Sequence, residues 1–343
     1  MPRLFWFRRL IASAAIAACA FPIAASAQEV NLYTTREPGL IQPLLETFTR
    51  STGVKVHAIF VKDGLIERVK AEGTNSPADV LMTVDFSGLI DAVAQGITQP
   101  IRSEALSSAV PANLRDPNGH WYALSLRARL VYVSKDRVKQ TAITYEELAD
   151  PKWKGKVCIR AGNHPYNTAL IAAYIAYYGE AKAEEWLKGV KANLARKATG
   201  GDREVARDIL AGICDVGPAN SYYVGLMRGG KGGPEQEKWG AAINPLLATF
   251  KGGGTHVNIS GAAVARHSPN KGNAQKLLEY LVTNEAQALY AKVNYEYPVR
   301  AGTAVDPIIA SFGALKPDNL DIGAIAKHRK TAVNLVDKVG FNN

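Results

Sequence analysis

The run Leu126-Arg127-Ala128-Arg129-Leu130-Val131-Tyr132-Val133 decides the fold. It is one long β-prone stretch, rich in β-branched and aromatic residues, and long enough to pass from one sheet into another. Upstream, Val30-Asn31-Leu32-Tyr33 reads as a strand. Leu40, Ile41, Leu44, Leu45 and Phe48 fall at helical spacing up to Gly53,. Val54, Val56, Ala58 and Phe60 alternate as a strand should; Leu65, Ile66 and Val69 mark a helix, and Ala78 to Met82 another strand,. Strand, helix, strand, helix, strand predicts a parallel α/β lobe.

Downstream a second α/β series begins. Tyr145 to Leu148 opens a helix, Lys156 to Ile159 a strand, Ala169 to Tyr178 a strongly apolar helix, and Asp202 to Leu210 an amphipathic one,. Gly252-Gly253-Gly254 is a hinge candidate, after which Val257 to Ser260 returns the chain to the first lobe; Ala274 to Tyr290 and Ile322 to Val339 read as closing helices. The expected fold is α/β: a two-lobed clamshell with residues 28–127 plus about 253–303 in the N-terminal lobe, and 128–252 plus about 304–343 in the C-terminal lobe.

The first 27 residues carry Arg3, Arg8 and Arg9 before an apolar run from Leu10 to Ala20, then the small-residue site Ala25-Ser26-Ala27. This is the pattern of a secretory signal peptide cleaved near Ala27-Gln28, which predicts an exported, periplasmic protein that does not span the membrane. Ile16-Ala17-Ala18-Cys19 is a competing lipoprotein cleavage box that would lipidate Cys19. Losing three arginines and no acid takes the formal charge from +10 to about +7. Lys and Arg are interleaved with acids and form no aromatic-studded basic stripe, so nucleic acid is not an expected partner,. Cys158 and Cys214 survive cleavage, and an oxidising compartment makes a disulfide in the second lobe the simplest reading, with two buried free thiols as the alternative,.

In open α/β sheets ligands sit beyond the carboxyl ends of the strands, and the loops there are Tyr33 to Gly39, Asp85 to Gly88, Arg160 to Asn167 and Asn220 to Gly225. Three phenols fall in two of them: Tyr166 in NHPYN, and Tyr222 with Tyr223 in NSYYVG. Phenolate is a hard oxygen donor suited to Fe(III), and a phenol of pKa ~10 must lose its proton to bind it. A bare Tyr-Tyr pair also reads as a strand start with one ring inward and one outward, and Tyr33 and Tyr132 read as strand core. His164 could ligate, although a single turn histidine is usually solvated. HExxH, CxxC and Walker sequences are missing, and Ser260 in NISGA lacks the Gly-x-Ser-x-Gly spacing, so no enzyme is expected,.

Several stretches together resemble the periplasmic ferric-ion-binding proteins, the solute-binding components of iron ABC transporters: NLYTTREPGL, SPADVLMTVDFSGLIDA, LSLRARLVY, WKGKVCIRAGNHPYN, GGDREVARDILAG, NSYYVG, GTHVNISGAAV and NYEYPV. The resemblance covers essentially all of the mature chain. It implies a type II periplasmic-binding-protein clamshell, a monomer, that binds Fe(III) with oxygen ligands and a synergistic anion such as carbonate or bicarbonate and serves an inner-membrane ABC permease. Carried over position by position, Tyr166, Tyr222 and Tyr223 match the tyrosinate ligands, and Arg127 and Arg36 the anion-binding arginines. The first loop departs from the pattern: many relatives have His-Tyr after its arginine, where this chain has Glu37-Pro38, and a glutamate of other relatives is here Val84 beside Asp85. The resemblance thus implies three tyrosinates plus an anion or water, with Glu37 as an additional candidate. The competing reading keeps the clamshell and takes an organic anion or a polyamine, with the phenols as hydrogen-bonding and stacking groups.

Overall fold

The computed structural model describes Met1 and residues 28–343; the leader and the Cys19 box lie outside the described residues. Among the described residues nine strands are linked by pairing, six of them along one path and three as side branches. In chain order they are β1 Glu29–Thr34, β2 Lys55–Phe60, β3 Val80–Thr83, β4 Thr98–Gln99, β5 Trp121–Ser134, β6 Val216–Asn220, β7 Ile243–Leu246, β8 Val257–Ala265 and β9 Tyr297–Pro298.

β5 belongs to both lobes, as its sequence predicts. Its first half, Trp121 to Ala128, pairs antiparallel with β8; its second half, Arg129 to Ser134, runs between β6 and β7. All 14 residues are buried, as a strand covered on both faces must be,. In the first sheet β1 pairs parallel with both β2 and β3, and β8 inserts antiparallel between β3 and β5. This is the expected parallel α/β lobe, completed by one strand that returns from the second lobe.

The helices follow their apolar spacing. The helix Pro38–Thr52 starts on a proline, which has no N–H to waste at a first turn, buries Ile41, Leu44, Leu45 and Phe48, and ends at Gly53 in the left-handed region (φ 73°),. The triple glycine has a packing reason. A Cβ on Gly254 would stand 2.6 Å from the Pro317 carbonyl oxygen, because the chain at Pro317 runs alongside as a bridge partner of Thr255.

Four elements differ from the sequence reading. Lys156 to Ile159 forms no strand; Val157 makes isolated bridges to Leu194 and Val216. Tyr145 to Leu148 yields only the short 3-10 turn Glu146–Ala149. The apolar stretch 274–290 is two helices, Lys271–Leu281 and Asn284–Asn294, because the Thr283 hydroxyl accepts from the Ala286 N–H and caps a new start,. Likewise 322–339 divides into Ile322–Ala326 and Arg329–Lys338.

Candidate metal centre

Tyr222 and Tyr223 do not begin a strand. β6 ends at Asn220, and the two rings occupy the second and third positions of the helix Ser221–Arg228. The Ser221 hydroxyl accepts from the Ala128 N–H of β5 at 3.2 Å, which anchors that first turn to the crossing strand. Tyr166 is the second residue of the helix Pro165–Tyr178, whose N-cap is His164. All three tyrosines are therefore carried on the first turn of a helix, the end where the helix dipole is positive, a setting that favours an anionic oxygen,.

The two helices bring the phenols together. The hydroxyls of Tyr166 and Tyr222 are 3.4 Å apart, and the rings of Tyr222 and Tyr223 pack with centroids at 4.1 Å and planes tilted by 34°. Arg127 lies 5.5 Å and Arg160 5.0 Å from the Tyr166 ring centre, and Arg203 lies 5.4 Å from that of Tyr223. Burial, then the neighbouring phenols Tyr166 and Tyr223, push the Tyr222 phenol well above its usual range, against the pull of Arg127. Burial and Tyr166 raise Tyr223 as well. Both stay protonated at neutral pH.

A buried polar network holds the two helix starts in place. Arg129 donates to Asn167 at 2.6 Å, to Asn220 at 3.1 Å and to Asp202 at 2.6 Å; Asp202 also accepts from the Asn220 N–H at 2.8 Å and pairs with Arg160 at 3.3 Å. Asn167 adjoins Tyr166, and Asn220 ends the strand before the tyrosine pair. The Cys158–Cys214 disulfide is formed, tying the residues before the Arg160–Asn167 loop to those before β6.

A second buried charge cluster adjoins the phenols, with Tyr222 among the charges felt by Arg36 and Arg127. Arg36, 5% exposed, is gripped by Glu296, 1% exposed, at 2.7 Å, and Arg36 also donates to Ser260. Arg127 donates to the carbonyl oxygens of Val84 and Ile259. Burial alone would raise the Glu296 carboxyl; Arg36 and Arg127 hold it below the usual carboxylate range. Tyr295, just before Glu296, lies against the tyrosine helix at Gly225 and Gly229 and has φ 58°, the one left-handed non-glycine residue among those described.

The structure thus brings Tyr166, Tyr222, Tyr223, Arg127 and Arg36 into one interacting cluster. Glu37 stands apart, exposed as the residue preceding the helix Pro38–Thr52, with no contact to the phenols. His164 spends its Nδ1 accepting the Tyr166 N–H at 3.2 Å, with burial and then Arg160 lowering its pKa to about 4, so it caps and braces Tyr166. Tyr33 and Tyr132 are core, as expected. Among the described residues no three His, Cys, Asp or Glu side chains are grouped to hold a metal ion. Sequence reasoning missed Glu296, Arg160, Arg203 and the Arg129–Asp202 pair. The first lay inside a quoted motif, NYEYPV; the pair is a contact across 73 residues that no local pattern announces.

Residues 75–316 match the family described as bacterial extracellular solute-binding protein. Iron uptake protein A1 of Synechocystis is 40% identical over 316 residues, covering 92% of this chain and 88% of that one. The solved Bordetella ferric binding protein is 65% identical with a TM-score of 0.89, over 92% of this chain and 100% of its own. A Trichodesmium protein solved in complex with iron and citrate ligands is 43% identical with a TM-score of 0.87, over 91% and 99%.

Proposed function

The chain belongs to the bacterial extracellular solute-binding protein family, in its periplasmic ferric-ion-binding group, and on that premise we propose that it binds ferric ion in the periplasm through Tyr166, Tyr222 and Tyr223. An oxyanion of the carbonate class held at Arg127 and Arg36 completes the coordination, and an inner-membrane ABC permease receives the ion. The observation that carries this reading is the convergence of three phenols on two helix N-termini, with the oxygens of Tyr166 and Tyr222 at 3.4 Å.

Two phenolates at that spacing repel each other, and a trivalent cation between them turns the repulsion into coordination. The guanidinium groups of Arg127 and Arg160 favour the charged phenols, and a planar guanidinium suits a planar oxyanion because it offers paired donors and keeps its charge. The protein's work is capture and release, so the donors are held by Arg129, Asp202 and the disulfide before the ion arrives.

Metal analysis of protein purified from the periplasm, with its visible spectrum, tests the reading. Iron at about one equivalent with a phenolate-to-iron charge-transfer band is the expected result. Colourless protein that carries no iron and takes none from ferric salts would reject it and favour an organic anion or polyamine.

A further inference from the structure

Tyr295 caps the helix Asn284–Asn294 at φ 58° and ψ 31°. Glycine or asparagine takes that left-handed position at least cost, and a bulky side chain stays there only where its surroundings hold it. The surroundings here are specific. The ring lies against two glycines, Gly225 in the helix Ser221–Arg228 and Gly229 at its C-cap. A Cβ on Gly225 would stand 2.2 Å from the ring's Cγ, and one on Gly229 would stand 2.1 Å from the phenolic oxygen. The Lys231 ammonium lies 4.8 Å from the ring centre and donates to the Val293 carbonyl oxygen at 2.7 Å.

Helical periodicity connects this contact to the phenols. Tyr222, Gly225 and Gly229 are spaced i, i+3 and i+7, so they share one face of their helix. The Tyr295 ring packs on that face one and two turns beyond Tyr222, and in a close-packed interior the helix cannot roll toward it without collision. The residues on either side of Tyr295 are anchored elsewhere. The Asn294 side-chain amide donates to the Leu40 carbonyl oxygen at 3.1 Å, and Glu296 holds Arg36 at 2.7 Å. Leu40 lies within the helix Pro38–Thr52 and Arg36 just before it. Tyr295 is thus a spacer between the segment that carries Arg36 and the helix that carries Tyr222, whose hydroxyl stands 3.4 Å from that of Tyr166.

Resting on the iron reading above, we infer that Tyr295 is a positioning residue for iron binding: its ring, wedged on Gly225 and Gly229, fixes the Tyr222 phenol against Tyr166 and ties that placement to Arg36. It acts through the helix and not as a donor.

The test uses the mature protein loaded with ferric ion in bicarbonate. The readouts are the position of the charge-transfer band at saturating iron and iron retention against a competing chelator. Tyr295→Gly suits the left-handed backbone and removes the ring. It should shift the band and lower retention by about ten- to hundredfold, the range for losing a group that orients a metal ligand. Tyr295→Phe keeps the ring and should hold the wild-type band and retention; a Tyr295→Phe protein that behaves like Tyr295→Gly overturns the inference. A ring that only fills space would, on removal, lower the unfolding midpoint and leave the band of the saturated protein where it was, which also overturns it. The three atoms nearest a Cβ at Gly225 all belong to Tyr295. Gly225→Ala should therefore shift the band in wild type and add nothing further in Tyr295→Gly, whereas additive shifts would show two independent sites and overturn the inference. Should Tyr295→Gly fail to fold, Gly225→Ala alone decides: a moved band supports the inference and an unmoved one overturns it. Wild type that stays colourless with ferric ion rejects the iron reading and this inference together, whereas coloured wild type with an unmoved band in Tyr295→Gly rejects this inference alone.

Discussion

The phenolic oxygens of Tyr166 and Tyr222 stand 3.4 Å apart although the two residues are 56 positions apart in the chain. Each rides on the first turn of its own helix, so the spacing is set by how β5 and β6 seat those helices and hardly at all by the side chains. Changes at the rings and changes beneath them should therefore have separable effects.

Replacing Tyr222 or Tyr223 by Phe removes the phenolic oxygen and keeps the packed ring. Folding free energy should change by about 1 kcal/mol or less, while iron affinity falls by roughly two orders of magnitude, as loss of an anionic donor implies. Chelator competition and the visible spectrum check this; an unaltered band in the doubly substituted protein would sink the phenolate assignment.

Asp202→Ala works from below. It leaves Arg129 and Arg160 without their carboxylate, and Arg129 is almost wholly enclosed. Breaking a buried pair from one side costs about 3–5 kcal/mol, which denaturant unfolding should show as a lower midpoint. Iron retention should drop as well, although no donor has been touched.

Gly225→Ala sets two terms against each other. Alanine gains about 1 kcal/mol of helix propensity over glycine, but its Cβ would stand 2.2 Å from the Tyr295 ring, and overpacking costs roughly 1–3 kcal/mol. The expected outcome is net destabilisation with weaker iron binding, because the ring can yield only by displacing the tyrosine helix. A stabilised variant would show that Tyr295 moves freely.

Acid should release iron. Burial and neighbouring phenols hold the Tyr222 and Tyr223 phenols protonated without metal, so binding expels protons and affinity falls as pH falls. The carbonate-class anion protonates at milder pH than the bound phenolates, giving a two-stage curve in wild type. Arg127→Ala should remove the bicarbonate-dependent stage and keep the later one; retention curves that coincide with and without bicarbonate in wild type would exclude an anion from the site.

Unfolded, unreduced mature protein should show no titratable thiol, since Cys158 and Cys214 are bonded across a sequence separation of 56. Reduction should lower stability by roughly 4 kcal/mol on the chain-entropy estimate. It should weaken iron binding further, because the bond ties together the approaches to both ligand loops.

Much of this was legible because it is written locally. The two-lobe plan followed from one long strand at 126–133, which indeed serves both sheets, and the core helices from 3.6-residue spacing. Local reading failed where an interaction across the chain overrides it. Tyr222 and Tyr223 look like strand residues until Ser221 bonds to Ala128 and starts a helix. Thr283 divides an otherwise continuous apolar helix by capping Ala286. Glu296 was unremarked because a lone glutamate beside two tyrosines has no signature; only the fold sets it against Arg36, 260 residues away.

The insertion of β8 between β3 and β5 also dictates an order of assembly. A chain emerging from its N-terminus has β1 to β3 early, but their sheet remains divided from β5 until residues 257–265 are available. The strands of the other sheet, the three phenols and both cysteines all lie between residues 129 and 246, a contiguous span with shorter loops to close. Oxidation and the gathering of the tyrosines can therefore run ahead of Arg36 and Glu296 meeting. A stall after residue 246 would leave the three tyrosines and the disulfide gathered while Arg36 still lacks Ser260 and Glu296, the partners that seat it.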